Sequence, residues 1–190
     1  LGWRLEILRG SAALATRSTS VSNAMTLTVS HKGIAFIAQR EACVTHAYQD
    51  GKHFSIGFGR NDPLLTAESR TTLEAAVLAL DIEARQHAAL VSRVLKVDVA
   101  QHEFDALVSA NYQSGTSVLT DVVSRINNGA RYEALVELLS DVLNQGTYDK
   151  GLARRRYLET RMFRFADYGP QPPIIRLYDG DPKVVEYTEI

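Results

Sequence analysis

The sequence predicts an α+β fold: a small β-hairpin lobe over about residues 42–65 and a larger all-helical lobe over about residues 66–168, joined by a long helix. Three observations predict it. Asp50-Gly51 is a strong hairpin signal, and after it Phe54, Ile56 and Phe58 alternate with Ser55, Gly57 and Gly59. Next, Leu73, Val77, Leu80, Ala84, Ala88, Val91 and Leu95 recur at spacings of three and four, the stripe of a helix about 35 Å long at 1.5 Å per residue. Beyond it, helical periods continue to Phe163. With 45% hydrophobic and 23% charged residues, the 190-residue chain has the composition of a soluble globular protein.

Charge and cysteine content exclude several functions. The 21 basic and 22 acidic residues leave a formal net charge of -1, so no bulk field draws the chain to nucleic acid or anionic lipid. Cys43 stands alone, which excludes an internal disulfide framework and any site built from several thiolates. No apolar run approaches the roughly 18 residues of a membrane span. Residues 1–24 mix Arg4, Arg9 and Arg17 with Ser, Thr and Ala in no sustained period and are expected to form a tail. Ser22-Asn23-Ala24 before Met25 resembles a cloning scar, so the fold is expected to begin at Met25. The tail lacks the apolar centre of a secretory signal, which points to the interior of a host cell before any release.

In chain order, Ser30 is a good N-cap, and Ile34, Ile37 and Ala38 continue as one helical face over residues 31 to about 42. Glu41 is the next step of that face. Burial and the negative end of the helix dipole both favour its protonated form, as a general acid requires. The alternative is a boundary carboxylate reaching solvent. Asp50 is either a reactive carboxylate or ordinary turn chemistry before Gly51. Gly57 and Gly59 leave one strand face bare, which suits close approach by an extended sugar chain.

Asp98 is expected to cap a helix carrying Phe104, Leu107 and Val108. Leu119, Val122, Val123 and Ile126 make another, ended by Asn127-Asn128-Gly129. Leu135, Leu138, Leu139 and Val142 make the next, and an arginine-rich helix runs near Gly151 to Phe163. Pro170, Pro172 and Pro173 stop helical structure. Residues 169–190 form a C-terminal extension whose end, 174–190, reads as a small hairpin or an extended tail.

Metal, cofactor and nucleophile signals are weak. The five histidines show no ligand spacing, so no metal and no cofactor is expected. Cys43 reads as a packed thiol rather than a nucleophile, and Gly57-Phe58-Gly59 is not a phosphate loop. The run Arg154-Arg155-Arg156 is either a solvated helix face or an anion contact.

The order of these pieces resembles the phage-type lysozymes of glycoside hydrolase family 24. Three blocks over roughly residues 30–165 carry the resemblance. Glu41 precedes Ala47-Tyr48-Gln49-Asp50 and Ser55-Ile56-Gly57-Phe58-Gly59. Gln101 to Val108 and Tyr112-Gln113-Ser114-Gly115 form the second block, and Gly151-Leu152-Ala153-Arg154-Arg155-Arg156 with Glu159 and Phe163 the third. The resemblance implies a lysozyme-like domain over residues 25–168, with Glu41, Asp50 and Ser55 at the positions of that family's catalytic Glu, Asp and Thr. Gly57, Gly59, Gln113 and Arg155 would then contact substrate, and an arginine of the 154–156 run would orient Glu41.

It also implies a muramidase that cuts the β-1,4 bond between N-acetylmuramic acid and N-acetylglucosamine, serving cell lysis by a phage or prophage. The expected partner is peptidoglycan, with no nucleic acid and no integral membrane segment, and the expected state is a monomer; association with a virion is compatible with the sequence. Four residues separate Asp50 from Ser55 where the family leaves five, and Arg60 replaces the usual histidine. A one-residue slip would turn Ser55 to the opposite strand face. That shortening keeps open a noncatalytic wall-binding or virion structural module; lytic transglycosylase chemistry is opposed by Asp50 and Ser55.

Overall fold

The computed structural model describes residues 27–171, 173–179 and 185–189; the tail expected over residues 1–24 lies outside them. The first helix, α1 (His31–Arg40), is capped by Ser30, whose Oγ accepts the Gly33 N–H at 3.1 Å. It buries Ile34, Phe36, Ile37 and Ala38. It ends at Arg40 rather than near 42, because Glu41 takes an extended backbone (φ -88°, ψ 132°) that feeds the chain into β1 (Cys43–Asp50).

β1 pairs antiparallel with β2 (His53–Gly57), which pairs with the short β3 (Arg60–Asn61). Asp50 faces His53 across the ladder, so the loop is Gly51-Lys52, with Gly51 at φ 61°. The hairpin expected at Asp50-Gly51 is present, with Asp50 as the last paired residue of β1. Because side chains alternate, Tyr48, Asp50, His53 and Ser55 share one face, and the slip that would turn Ser55 away does not occur. A register shift between Val44 and Tyr48 frees the middle of β1 to bond elsewhere. There the Thr71 N–H donates to the Thr45 carbonyl at 2.9 Å and the Ala47 N–H to the Ser69 carbonyl at 3.1 Å.

The long helix is α2 (Leu73–Val94), with Ala76, Leu80, Ala84, Ala88 and Val91 buried. α3 (Gln101–Ser114) begins after Ala100, two residues past the expected Asp98; the Glu103 carboxylate accepts the Ala100 N–H at 2.8 Å and secures that end. Its residues Phe104 to Asn111 are all buried, which makes it the central helix of the lobe. α4 (Thr116–Asn127), α5 (Arg131–Ser140) and α6 (Lys150–Phe165) surround it. The lobe is not wholly helical. β4 (Leu143–Asn144) and β5 (Thr147–Tyr148) form a ribbon before α6, too short to show an alternating pattern in sequence.

The C-terminal extension is a hairpin, β6 (Ile174–Tyr178) and β7 (Val185–Glu189). β6 lies parallel to β1, opposing Cys43 to Leu177 and Val44 to Tyr178, so the lobe holds a five-stranded sheet ordered β3-β2-β1-β6-β7. Cys43 is fully buried, and burial pushes its thiol up to about 11. A nucleophilic cysteine needs the opposite shift. The native thiol is therefore expected to resist an aromatic disulfide reagent at pH 8 and to react only as fast as the protein opens; stoichiometric labelling within seconds would contradict its burial. Among the described residues, no helix is long and apolar enough to cross a membrane, and no cluster of three or more His, Cys, Asp and Glu could hold a metal.

Candidate active site

Glu41 leaves the end of α1 with its side chain 22% exposed. Against it lies Arg155 of α6, almost completely buried, whose Nη1 donates to Glu41 Oε1 and, at 2.7 Å, to Gln113 Oε1. Arg155 Nε donates to Glu159 Oε1 at 3.1 Å, and its Nη2 leans on the Ser109 carbonyl. Glu159 is fully buried and also receives Arg156 Nη1 and, at 2.6 Å, the Ser109 hydroxyl. Burial alone would lower the Arg155 guanidinium, but the Glu159 and Glu41 carboxylates outweigh it and hold it above its ordinary value. Spacing explains the arrangement: positions 155, 156 and 159 lie on one helical face, turned toward α3. The 154–156 run is thus only partly a solvated face: Arg154 is exposed, while Arg155 and Arg156 are interior.

Across from this cluster, Ser55 is fully buried and its Oγ donates to Asp50 Oδ2 at 3.3 Å. Asp50 itself is exposed at the tip of β1. Tyr48 stands opposite Ser55 in the ladder, on the same strand face as Asp50. Burial first, then the charge of Asp50 and also that of Glu41, push its phenol above the ordinary value. Both carboxylates therefore act electrostatically on one side chain. Tyr112 ties the lobes together, its hydroxyl donating to the Phe58 carbonyl at 3.2 Å and to Glu83 at 3.3 Å.

Next to Glu41 opens a cavity of about 900 Å³, lined by Gln113, Asn144, Gly151, Arg154 and Arg155 among others. Asp50 and Ser55 lie outside this lining.

A family model described as phage lysozyme matches residues 38–159, a segment that runs from the end of α1 through most of α6. The chain belongs to the phage lysozyme family. Its segment is 30% identical over 142 residues to an endolysin of Bacillus phage B103, covering 72% of this chain and 54% of that protein; this chain thus spans about half the length of that relative. Among solved structures, the endolysin from Escherichia coli O157:H7 phage FAHEc1 aligns with a TM-score of 0.69 at 27% identity, over 76% of this chain and 98% of that one. The muramidase domain of SpmX from Asticaccaulis excentricus gives 0.67 at 26% identity, over 73% and 98%.

Set against the residues expected for a phage lysozyme, the geometry unites Glu41, Gln113 and Arg155 in one cluster and Asp50 with Ser55 in another. Three of the residues expected to contact substrate have structural surroundings of their own. Gly57 (φ 65°) is bare because α2 approaches it: a Cβ there would stand 3.2 Å from the Ala76 Cβ. Gly59 (φ 89°) is an exposed turn residue with no other atom near its would-be Cβ, so its missing side chain reflects the turn. Arg155 has its donors engaged with Glu41, Gln113 and Glu159. Sequence reasoning missed Tyr48 as a neighbour of Asp50 on the strand face and Glu159 as the anchor of Arg155. The spacing of Arg155, Arg156 and Glu159 was the available signal for the latter.

Proposed function

We propose that the chain is a muramidase that hydrolyses the β-1,4 bond between N-acetylmuramic acid and N-acetylglucosamine in bacterial peptidoglycan, in the service of cell lysis. The observation that supports this reading is the presence of two carboxylates in opposite surroundings: Glu41, half-buried and clamped by Arg155, and Asp50, exposed and bonded to the buried Ser55 hydroxyl. Two carboxylates suffice for glycoside hydrolysis. Glu41 delivers a proton to the leaving glycosidic oxygen, and Asp50 stabilises positive charge at the anomeric carbon and draws a proton from water. Ser55, held on the same strand face as Asp50, helps fix that water. Arg155 fixes the direction in which Glu41 points, and Gln113, bonded to the same guanidinium nitrogen, offers its remaining amide donors to the sugar.

A water held by Asp50 and Ser55 attacks from the face opposite Glu41, so the reaction inverts the anomeric centre. Inverting pairs stand about 6.5 to 9.5 Å apart in glycosidases, whereas retaining pairs stand about 5 to 5.5 Å apart. Proton NMR of an early digest is expected to show the α anomer as the first product; the β anomer would remove the water-holding role of Ser55.

Asp50→Asn is expected to lower the rate roughly 10²-fold or more, since an amide neither takes up a proton nor carries charge. Its folding stability should stay within the roughly 0.5 kcal/mol typical of exposed substitutions. Full activity with an unchanged Tm would return Asp50 to a turn-shaping role.

A further inference from the structure

Tyr112 of α3 has one hydroxyl hydrogen and two acceptors. The Phe58 carbonyl lies 3.2 Å away, in the turn after β2, and the Glu83 carboxylate of α2 lies 3.3 Å away. Both distances are long for an O–H···O bond, whose usual value is about 2.7–2.8 Å, as expected when one hydrogen is shared. The two ends of this bridge belong to different halves of the site. Phe58 is buried and follows Ser55 by three residues, on the lobe that carries Asp50. Gln113, the next residue after Tyr112, accepts from the same Arg155 nitrogen that holds Glu41. One hydroxyl therefore joins the side that holds the acid to the side that holds Asp50 and Ser55.

The share of the hydrogen that Phe58 receives depends on Glu83, a group that glycosidic chemistry leaves unused. As a carboxylate, Glu83 only accepts, and it competes with the Phe58 carbonyl. Once it takes a proton from solvent, its own O–H donates to the Tyr112 oxygen, and the Tyr112 hydrogen passes wholly to Phe58. Glu83 is half-buried, and burial holds its carboxyl above the ordinary value against the opposing pulls of the Tyr112 hydroxyl and the Arg60 charge. Arg60 on β3 is itself paired with Asp62 at 2.6 Å. His87, one turn along α2, sets its ring at a tilt against that of Tyr112, with centroids 5.2 Å apart, and burial lowers its imidazole. Glu41 and Arg155 act on Tyr112 by charge, in opposite directions.

We propose that Glu83 is a positioning residue that acts through Tyr112: its protonation assigns the Tyr112 hydrogen to the Phe58 carbonyl and fixes the hairpin lobe against the helical lobe at the spacing the two catalytic carboxylates need. The proposal rests on the muramidase reading for the meaning of that spacing.

The test reads lobe separation without substrate. Lys52→Cys on the hairpin loop and Glu133→Cys on α5, both exposed, carry nitroxide labels, while the fully buried Cys43 stays unlabelled; pulsed electron resonance gives the distance distribution. With Glu83 and Tyr112 in place, the distribution is expected to narrow as pH falls from about 7 to about 4, through the carboxylate range. Glu83→Gln, whose amide N–H donates to the Tyr112 oxygen at every pH, should show the narrow distribution throughout. Tyr112→Phe, which keeps the ring against His87, should show a broad one throughout. Without labels, Tyr112→Phe should digest peptidoglycan about tenfold more slowly, since small misplacements of reacting groups carry costs of that order. Equal distributions at the two pH values, a pH response that survives Glu83→Gln, a Tyr112→Phe distribution as narrow as that of Glu83→Gln, or a full rate for Tyr112→Phe would each overturn the proposal. A failure of the muramidase reading appears separately, as glycan left intact by the unsubstituted chain whatever its lobe distances.

Discussion

Glu41→Gln is expected to reduce peptidoglycan hydrolysis by about 10²- to 10⁴-fold, the usual worth of a positioned proton donor. The amide is nearly isosteric and can still accept the Arg155 N–H, so the clamp that joins α1 to α6 should persist and Tm should change little. Turbidity loss of purified peptidoglycan, read beside thermal unfolding of the same sample, checks both parts. A variant that keeps more than a tenth of the wild-type rate would remove Glu41 from the chemistry, and one that loses activity together with its fold would make it structural.

Glu159→Gln should produce the largest loss of stability. Glu159 is fully buried, bonded to Arg155 and Arg156, and its removal leaves two interior guanidiniums facing a neutral amide. Breaking a buried pair from one side costs about 3–5 kcal/mol. For a chain of this size that corresponds to a fall in Tm of roughly 6–20 °C. Activity should fall as well, because Arg155 loses the tether that aims it at Glu41. A Tm within two degrees of wild type would show that the ion-pair cluster is dispensable to the fold.

These effects trace back unevenly to the sequence. The long helix was legible because its apolar positions keep three- and four-residue steps from Leu73 to Val91, and the core it joins is built from those side chains. The hairpin was legible in kind but not in register. Asp50-Gly51 announces a turn, yet which residue pairs with which is decided by the ladder, and that decision placed Asp50 on the strand beside Ser55. Gly57 shows how a correct observation acquires a different cause: a bare strand position means that something comes close, and here it is Ala76 of α2. The parallel pairing of β6 with β1 joins residues more than 130 positions apart, such as Cys43 and Leu177, and no local pattern encodes it. Burial of Arg155, Arg156 and Glu159 was hidden for a related reason. α6 is strongly polar in composition, and only its contact with α3 shows that its charges satisfy one another inside the protein.

The central claim is that Glu41 and Asp50 together add water across the muramyl bond. Mass spectrometry of the soluble fragments from purified peptidoglycan tests it most directly, because the chemistry of the new chain end records whether water took part. The account predicts fragments ending in reducing N-acetylmuramic acid, released by the wild-type chain and absent with Glu41→Gln. Fragments ending in anhydro-muramic acid, or no fragments from the wild-type chain, would contradict it.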